Sequence, residues 1–289
     1  MGTTESVPFS SDLPHFTNAE GARIYTKRWS PQGSIRAVVF ICHGVHEHVE
    51  RHNPLASILA EKGFLVVGHD HVGHGRSDGI RADCEDFNWY VRDTLQHVQQ
   101  VKEELPDIPF FLFGYSMGGA VAILAALESS HLFSGAILVA PMIMPKASTM
   151  FSVKVWLLHL VSSLFPQLGV GTSDPNGISR DPEVVKASLE DPLNYHGNIK
   201  ARWGACALAA MDEIQKRMEE VKFSYLLLHG TADRFVPHEG SEMFHAKTQS
   251  EDKTLKLYPD HYHRLFSEPK EYSDVVIADI ISWLETHVE

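Results

Sequence analysis

Residues 110–119 read F-F-L-F-G-Y-S-M-G-G, an apolar run that breaks at a serine between glycines. Ser116 stands in the pattern G-x-S-x-G, in which a strand turns sharply into a helix and exposes the serine hydroxyl. The apolar F-F-L-F predicts that strand, and M-G-G-A-V-A-I-L-A-A-L predicts that helix. A hydroxyl is a weak nucleophile in water, so the pattern indicates chemistry only if a base acts on Ser116.

Candidates for a base and a carboxylate follow Ser116 in the chain order that such a site requires: serine, acid, histidine. Asp233 lies in H-G-T-A-D-R-F-V-P, just after the apolar segment Y-L-L-L-H, and His263 lies in L-Y-P-D-H-Y-H-R-L-F. A neutral His263 imidazole would take the Ser116 proton, and Asp233 would hold the tautomer of the ring. The residues alone leave two alternatives open, His261 for the base and Asp260 for the acid.

Acyl transfer at Ser116 also needs hydrogen-bond donors for the oxyanion of the tetrahedral intermediate. The backbone N–H of Met117 is one expected donor, and the helix that begins there directs its positive end to the same place. The second donor should come from the loop after the third strand, C-H-G-V-H. There Gly44 permits a tight turn, so we expect the Val45 N–H to face the site.

Polar residues follow this loop directly, in the order E-H-V-E-R from Glu47 to Arg51. We expect Gly44, Glu47 and Arg51 to bind the substrate, with His48 beside them, as a polar wall near its head group. The alternative is an ordinary solvated loop, because charged side chains are mostly exposed.

The elements that would position these residues alternate between strand-like and helix-like segments. Six apolar segments without polar alternation are typical of strands that are buried on both faces, which predicts a mostly parallel sheet flanked by helices. The predicted strands are Ala37–Cys42, Phe64–His69, Phe110–Phe113, Gly135–Ala140, Tyr225–His229 and Thr254–Tyr258, and the hairpin-like Ala22–Trp29 can add an antiparallel edge. The predicted helices are Pro54–Lys62, Asp86–Glu104, Met117–Glu128, His238–Lys247 and Glu271–Thr286.

This alternation stops between about residues 142 and 220 and then resumes. The interrupted stretch holds the strongly apolar segment Thr149–Phe165, a passage rich in Gly, Pro and Asp from Pro166 to Pro182, and two further helical patterns. An insertion between two strands of one sheet explains this order better than a second domain. We therefore expect a single α/β domain over residues 1–289, with a helical cap over about 142–220.

Composition narrows the classes of function. The chain has 289 residues, of which 44% are apolar and 21% charged, as in a globular protein with a sizeable core. A net charge of −12 without a dense Lys/Arg cluster argues against nucleic-acid binding. The scattered Cys42, Cys84 and Cys206 argue against a disulfide framework and favour a cytoplasmic location. The start M-G-T-T-E-S lacks signal-peptide features and loosely matches the myristoylation pattern at Gly2, for which a plain polar N-terminus is the alternative.

With the serine turn, the acid, the base and the cap considered together, the chain resembles the α/β-hydrolase superfamily over nearly its full length. More narrowly, it resembles the monoacylglycerol lipase and lysophospholipase branch. The stretches that carry this resemblance are H-G-V-H-E-H at 43–48, H-D-H-V-G-H-G-R-S at 69–77, G-Y-S-M-G-G at 114–119, A-D-R at 232–234 and Y-H at 262–263.

The resemblance implies an α/β-hydrolase fold and selects His263 over His261 as the base. It also implies a cap with an acyl-chain tunnel and a surface that touches membranes. The implied reaction is hydrolysis of a lipid ester without a cofactor, foremost monoacylglycerol to glycerol and fatty acid through an acyl-enzyme at Ser116. A lysophospholipase or a general carboxylesterase is the alternative, because Tyr115 and Phe266 stand where the family often has histidine.

The apolar cap segment Thr149–Phe165 bears on the membrane question. At about 17 residues it is at the lower limit for crossing a bilayer, and it contains Lys154 and His159, so we expect no transmembrane helix. A cap helix that lies in the membrane interface and a fully buried cap helix are both consistent with this sequence.

Two rival classes of function match parts of the sequence. The eighteen histidines include H-x-H at 46–48 and H-D-H at 69–71, which suggests a metallohydrolase. Neither reproduces H-E-x-x-H on a helix, so no metal is expected. The other rival is a non-catalytic α/β-hydrolase scaffold that binds a ligand, and the complete set of Ser116, Asp233 and His263 argues against it.

Overall fold

The computed structural model describes residues 10, 12–146, 152–172 and 174–288, and for residues 152–157 it describes the backbone only. The N-terminal segment with Gly2 lies outside the described residues. The first part of the apolar cap segment, residues 149–151, does so as well.

Within the described residues, eight strands form one sheet in the order β1-β2-β4-β3-β5-β6-β9-β10. Strands β1, β2 and β4 pair antiparallel, and all pairs from β4 to β10 are parallel. The strands of this sheet are β1 (His15–Thr17), β2 (Arg23–Trp29), β3 (Ala37–Cys42), β4 (Phe64–His69), β5 (Phe110–Tyr115), β6 (Gly135–Val139), β9 (Tyr225–Gly230) and β10 (Lys253–Tyr258). A short antiparallel pair lies apart from it, β7 (Gly169–Gly171) with β8 (Ile199–Lys200).

Helices cover both faces of the sheet. They are α1 (Asn53–Glu61), α2 (Asn88–Glu104), α3 (Met117–Glu128), α4 (Ser152–Leu164), α5 (Pro182–Glu190), α6 (Ala201–Arg217), α7 (Glu239–Lys247) and α8 (Lys270–His287). One core includes residues of α2, α3, α6 and α7, and a second core on the other face includes residues of α1 and α8. Alternate residues of β3 enter the two cores, with Phe40 in the first and Val39 in the second, because successive side chains of a strand point to opposite faces. This explains why the central strands are apolar without alternation.

The six predicted strands and five predicted helices are confirmed, with boundaries that differ by at most two residues. The antiparallel edge predicted from Ala22–Trp29 is confirmed as β2, and β1 extends it. Strand β10 differs from the prediction that these strands are buried on both faces. It is only partly buried, because it lies at the edge of the sheet and pairs with β9 alone.

Residues 142–220, which we call the cap segment, lie between the neighbouring strands β6 and β9. They contain α4, α5, α6 and the β7–β8 pair. Helix α6 packs on α4 and on α3, so the cap segment is anchored to the helix that begins at Ser116. In the part of the chain that the structure describes, no helix combines the length and the apolar character needed to cross a bilayer.

Candidate active site

Ser116 lies at the sharp turn between β5 and α3. Its backbone angles are φ 56° and ψ −118°, a conformation that a residue with a side chain rarely adopts. Three hydrogen bonds hold the turn: the Ser116 N–H donates to the Val139 carbonyl at 3.0 Å, and the Ser116 carbonyl accepts from Gly119 and Met142, each at 2.9 Å. Strain of this kind is retained where the surrounding structure imposes it, here with the hydroxyl directed out of the turn.

Two glycines of the G-x-S-x-G pattern are required by close packing. A Cβ atom on Gly118 would lie 2.0 Å from the Cys42 carbonyl oxygen, and one on Gly114 would lie 2.5 Å from the Gly118 carbonyl oxygen. A larger residue at Gly118 would separate α3 from the end of β3, and one at Gly114 would separate α3 from β5. The glycines therefore bring the first turn of α3 next to the loop that follows β3.

The structure brings Ser116, His263 and Asp233 into one hydrogen-bonded chain. The Ser116 Oγ lies 2.9 Å from His263 Nε2, and His263 Nδ1 lies 2.6 Å from Asp233 Oδ2. All three side chains are buried or nearly so. The three residues follow β5, β9 and β10, and the carboxyl ends of parallel strands lie at the same edge of a sheet.

The surroundings of Asp233 keep its carboxylate ionised. Its other oxygen, Oδ1, accepts from the backbone N–H groups of Phe235 at 2.7 Å and Val236 at 3.0 Å. Burial opposes ionisation, but the electrostatic interaction with His263 and the hydrogen bonds from His229 and His263 hold the pKa of Asp233 well below its usual value. A fixed anion at this place orients the His263 ring and stabilises the imidazolium that forms when it takes a proton.

His229 is a part of this arrangement that sequence reasoning missed. Its Nε2 lies 3.1 Å from Asp233 Oδ2, and its Nδ1 lies 2.7 Å from the Ser241 Oγ. The residue ends the predicted strand Y-L-L-L-H four positions before Asp233, and that short spacing was the available signal. The catalytic acid candidate is thus held by two imidazoles.

The two rivals left open by the sequence lie elsewhere. His261 directs its Nδ1 to the Pro259 carbonyl at 2.8 Å, and its ring packs on Tyr258 and Tyr272. Asp260 is exposed, with a positive φ of 61°, and its N–H donates to Thr231 Oγ1. Neither residue belongs to the hydrogen-bonded chain of Ser116.

We call the loop after β3, residues 43–46, the oxyanion loop. His43 accepts the N–H of His71 on Nε2 at 2.9 Å, so its Nδ1 carries the proton and donates to the Gly44 carbonyl at 2.7 Å. Since a carbonyl and the next N–H point to opposite sides of a peptide, this bond turns the Val45 N–H away from His43. Within the described residues neither the Val45 nor the Met117 N–H is paired with an acceptor, so both donors are available.

The polar residues after the oxyanion loop are mostly engaged with other parts of the protein. Glu47 is buried and pairs with Arg264, a residue that the sequence did not single out. His48 bonds through Nε2 to Asp191 of the cap segment at 2.9 Å, and Arg51 donates to the Ala187 carbonyl of α5 at 3.3 Å. These residues do not form a solvated loop: Glu47 binds the loop of His263, and His48 and Arg51 bind the cap segment.

Two cavities meet at Ser116. The smaller, of about 300 Å³, is lined by Gly44, Glu47 and Arg51 together with polar side chains of the cap segment, namely Ser188, Asn194, His196 and Asn198. The larger, of about 660 Å³, is lined mainly by apolar side chains, among them Met142, Leu158, Val161, Trp203, Leu208 and Met211. Ser116 and Val45 line both cavities. An ester bond at Ser116 would therefore have a mainly apolar cavity on one side and a more polar cavity on the other.

The histidine-rich segments are packed in the interior. Among the described residues, no group of three or more His, Cys, Asp or Glu side chains is arranged to hold a metal ion. The rings instead contact one another, with His43 and His71 centroids 4.3 Å apart and the Nδ1 atoms of His69 and His97 separated by 3.3 Å. In this cluster, burial lowers the pKa of His43 and His97 to about 3 and that of His46 to about 4, and it holds the pKa of His69, His71 and His74 well below the usual value.

This cluster predicts steep acid destabilisation. A buried histidine with a lowered pKa is neutral in the folded protein and charged in the unfolded chain below pH 6.5. Each one therefore costs about 1.4 kcal/mol of stability per pH unit below that value. Burial raises the pKa of Asp70 to about 6 and of Asp93 to about 7, which offsets part of the loss. Urea unfolding at pH 7.5, 6 and 5 should show a net loss of several kcal/mol, comparable with the whole stability of a typical domain.

A pair of variants checks the origin of this effect. His97→Phe should flatten the dependence of the unfolding free energy on pH, because an aromatic ring without a titrating nitrogen fits the contacts with Phe16 and Phe40. His131→Phe is the matched control, since that ring is exposed and should leave the slope unchanged. A stability that stays constant from pH 7.5 to pH 5 would contradict the prediction.

Comparison with known proteins places this fold and site in a family. The family model described as serine aminopeptidase, S33, matches residues 33–270. The chain is 38% identical over 286 residues to the monoglyceride lipase of Rattus norvegicus, and this alignment covers 99% of this chain and 94% of the relative. It is 36% identical over 282 residues to the monoglyceride lipase of Homo sapiens, and this alignment covers 98% of this chain and 93% of the relative.

Solved structures agree with the sequence relatives. The crystal structure of Paleococcus ferrophilus monoacylglycerol lipase is 30% identical and has a TM-score of 0.80, covering 91% of this chain and 99% of that one. The resemblance to the α/β-hydrolase superfamily is thereby confirmed. The chain belongs to the serine aminopeptidase S33 family of α/β-hydrolases, within the branch that contains the monoglyceride lipases.

Proposed function

We propose that the chain is a serine hydrolase of lipid carboxylic esters, that its catalytic residues are Ser116, Asp233 and His263, and that monoacylglycerol is its main substrate. The observation that carries the proposal is the position of the hydrogen-bonded Ser116, where a large apolar cavity meets a smaller one that is lined in part by polar side chains. The names of the related lipases support the same substrate class.

In the proposed reaction, the Ser116 Oγ attacks the ester carbonyl carbon while His263 Nε2 takes the hydroxyl proton. The N–H groups of Val45 and Met117 bind the oxyanion of the tetrahedral intermediate. His263 then protonates the leaving alkoxide, which departs as glycerol and leaves an acyl group on Ser116. Water attacks the acyl-enzyme with the same imidazole as base, and a fatty acid is released. No cofactor takes part in these steps.

The two cavities suggest how a monoacylglycerol lies in the site. The large apolar cavity would hold the acyl chain, and the small cavity would hold the glycerol against polar side chains such as Asn194 and Arg51. The cap segment contributes walls to both cavities. We therefore propose that residues 142–220 act as a cap that selects the substrate.

A substrate panel tests the proposal. We expect kcat/KM to be highest for a long-chain monoacylglycerol and at least about 100-fold lower for p-nitrophenyl acetate, because each buried methylene contributes about 0.8 kcal/mol. Lysophosphatidylcholine with the same acyl chain should also be poor, since its phosphate and ammonium charges would lose water in the small cavity, which costs free energy unless each charge is paired. A lysophospholipid turned over faster than the monoacylglycerol would contradict the proposed head group.

We also propose that the cap segment touches lipid membranes. Leu160, Leu164, Phe165, Leu168 and Val170 are between 43% and 64% exposed and lie within one short stretch of the chain. Val170 also lines the large cavity, so the exposed apolar surface continues towards Ser116. A route of this kind would let a lipid substrate pass from a membrane into the site.

Cosedimentation with phosphatidylcholine vesicles measures this contact. Leu164→Ser with Phe165→Ser should reduce binding several-fold and slow the hydrolysis of monoacylglycerol within vesicles, while p-nitrophenyl acetate hydrolysis stays unchanged. Val275→Ser, at an exposed apolar position of α8, is the matched control. Unchanged binding of the double variant would show that the membrane contact lies elsewhere.

A further inference from the structure

We infer that Glu47 and Arg264 form a positioning pair that holds the oxyanion loop against the loop of His263. The inference rests on the proposed acyl-transfer function and deepens it. It also changes the role expected for Glu47 from the sequence, because the residue then acts on the shape of the site rather than on the substrate head group.

The carboxylate of Glu47 is fully engaged within the protein. Its Oε1 accepts from the Gly44 N–H at 2.8 Å and lies 3.0 Å from His52 Nε2, and its Oε2 bonds to Arg264 Nη1. The side chain of Glu47 is 11% exposed, and that of Arg264 is 3% exposed. Although Glu47 lines the small cavity, these contacts leave its carboxylate little capacity to bind a hydroxyl of the substrate.

Arg264 directly follows His263 and reaches three other parts of the site. Its Nη2 donates to the Arg51 carbonyl at 2.9 Å. Its guanidinium lies over the ring of Tyr115, the residue before the nucleophile, at 5.1 Å and over the ring of Phe266 at 4.7 Å. One side chain therefore connects the base loop, the serine turn and the segment that follows the oxyanion loop.

The pair and His43 together fix the orientation of the Gly44 residue. Glu47 holds the Gly44 N–H, and His43 Nδ1 holds the Gly44 carbonyl. With both ends of this residue bonded, the following peptide cannot rotate, and its Val45 N–H stays directed away from His43. Preorganised donors of this kind stabilise the oxyanion because they need not reorient during the reaction.

Arg264 also neutralises a charge that would oppose catalysis. Burial works against ionisation, but Arg264 and then His52 hold the pKa of Glu47 well below its usual value, so the residue is an anion. An unpaired carboxylate beside the oxyanion loop would repel the negative charge that develops there. The pair supplies a rigid anchor for Gly44 without that repulsion.

Stability alone does not account for the pair. Replacing both members of a buried ion pair by uncharged residues often leaves stability unchanged or raises it, whereas removing one member leaves a buried charge unpaired. If the pair served only stability, replacing both residues together should leave kcat unchanged. A positioning pair should instead change the chemical step when either member is lost.

The test is a set of four variants, Arg264→Met, Arg264→Lys, Glu47→Gln and the double Glu47→Gln/Arg264→Met, assayed with p-nitrophenyl butyrate and by fluorophosphonate labelling of Ser116. For Arg264→Met we expect kcat per folded molecule to fall about 100-fold with KM nearly unchanged, because only the transition state uses the oxyanion donors. Glu47→Gln and the double variant should each keep a kcat at least about tenfold below the wild type, since neither retains the ion pair that holds the oxyanion loop against the loop of His263, although the double variant leaves no buried charge unpaired. Arg264→Lys should lie between Arg264→Met and the wild type.

Arg28→Met is the matched control, because Arg28 forms an exposed ion pair with Glu104 and should leave kcat unchanged. Thermal unfolding gives the folded fraction of each variant. If Arg264→Met does not fold, kcat is compared for Arg264→Lys and the double variant instead. A higher KM at unchanged kcat, or a double variant with the kcat of the wild type, would overturn the positioning role. A wild-type chain that fails to react with the fluorophosphonate would refute the proposed function instead.

Discussion

Replacing Ser116 by alanine should lower kcat by about 10⁶-fold, the largest effect that we expect from any single substitution. The variant loses the only hydroxyl within hydrogen-bond distance of His263 Nε2 among the described residues. The Cβ atom is retained, so the turn at φ 56° carries the same backbone strain as before. Turnover of a monoacylglycerol and the mass of the protein after fluorophosphonate treatment measure the result.

Thermal unfolding of the variant supplies the control, since its melting temperature should match the wild type. Ser130→Ala, at an exposed position after α3, should retain full activity and full labelling of Ser116. Ser116→Ala with turnover within about 100-fold of the wild type would remove Ser116 from the mechanism.

His263→Ala should have an effect of similar size, about 10⁶-fold on kcat, because serine and base act as one unit. The second histidine of H-Y-H gives a sharp contrast. His261→Ala should change kcat by less than about tenfold, since that side chain bonds to a backbone carbonyl and packs on Tyr258. Steady-state kinetics of both variants with p-nitrophenyl butyrate compares them directly.

Asp233→Asn and Asp260→Asn extend the same comparison to the acid. Loss of the Asp233 charge should cost about 10⁴-fold, because an amide holds the wrong tautomer of His263. Asp260→Asn should be almost neutral, as Asp260 is exposed. If His261→Ala or Asp260→Asn proved as damaging as its counterpart, the assignment of base and acid would have to be reversed.

Much of the fold follows from local patterns. Strand β3 and helix α3 were predicted at their observed boundaries, because both are buried on nearly every side and therefore apolar throughout. The pairing of Ser116 with later acid and base candidates followed from their position after apolar strands. Parallel strands place their carboxyl ends at one edge, so this order along the chain translates into proximity in space.

The contacts of charged side chains did not follow from the sequence. Glu47 and Arg264 are separated by more than two hundred residues, and no local pattern indicates that they meet. His229 is one of eighteen histidines, and only the turn that follows β9 shows which of them holds Asp233. Sequence reasoning can propose charged residues near a site, but their partners depend on which strands and loops become neighbours.

The sequence by itself determined the sheet, the nucleophile turn and the chemical types of the catalytic candidates, since these depend on local apolar patterns and on where glycine is required. The tertiary structure decided which histidine faces Ser116, where Glu47 directs its charge and how the cap segment divides the space above the serine into two cavities. Those features depend on contacts between distant segments, and their energies are set by burial and by the partners that burial brings together.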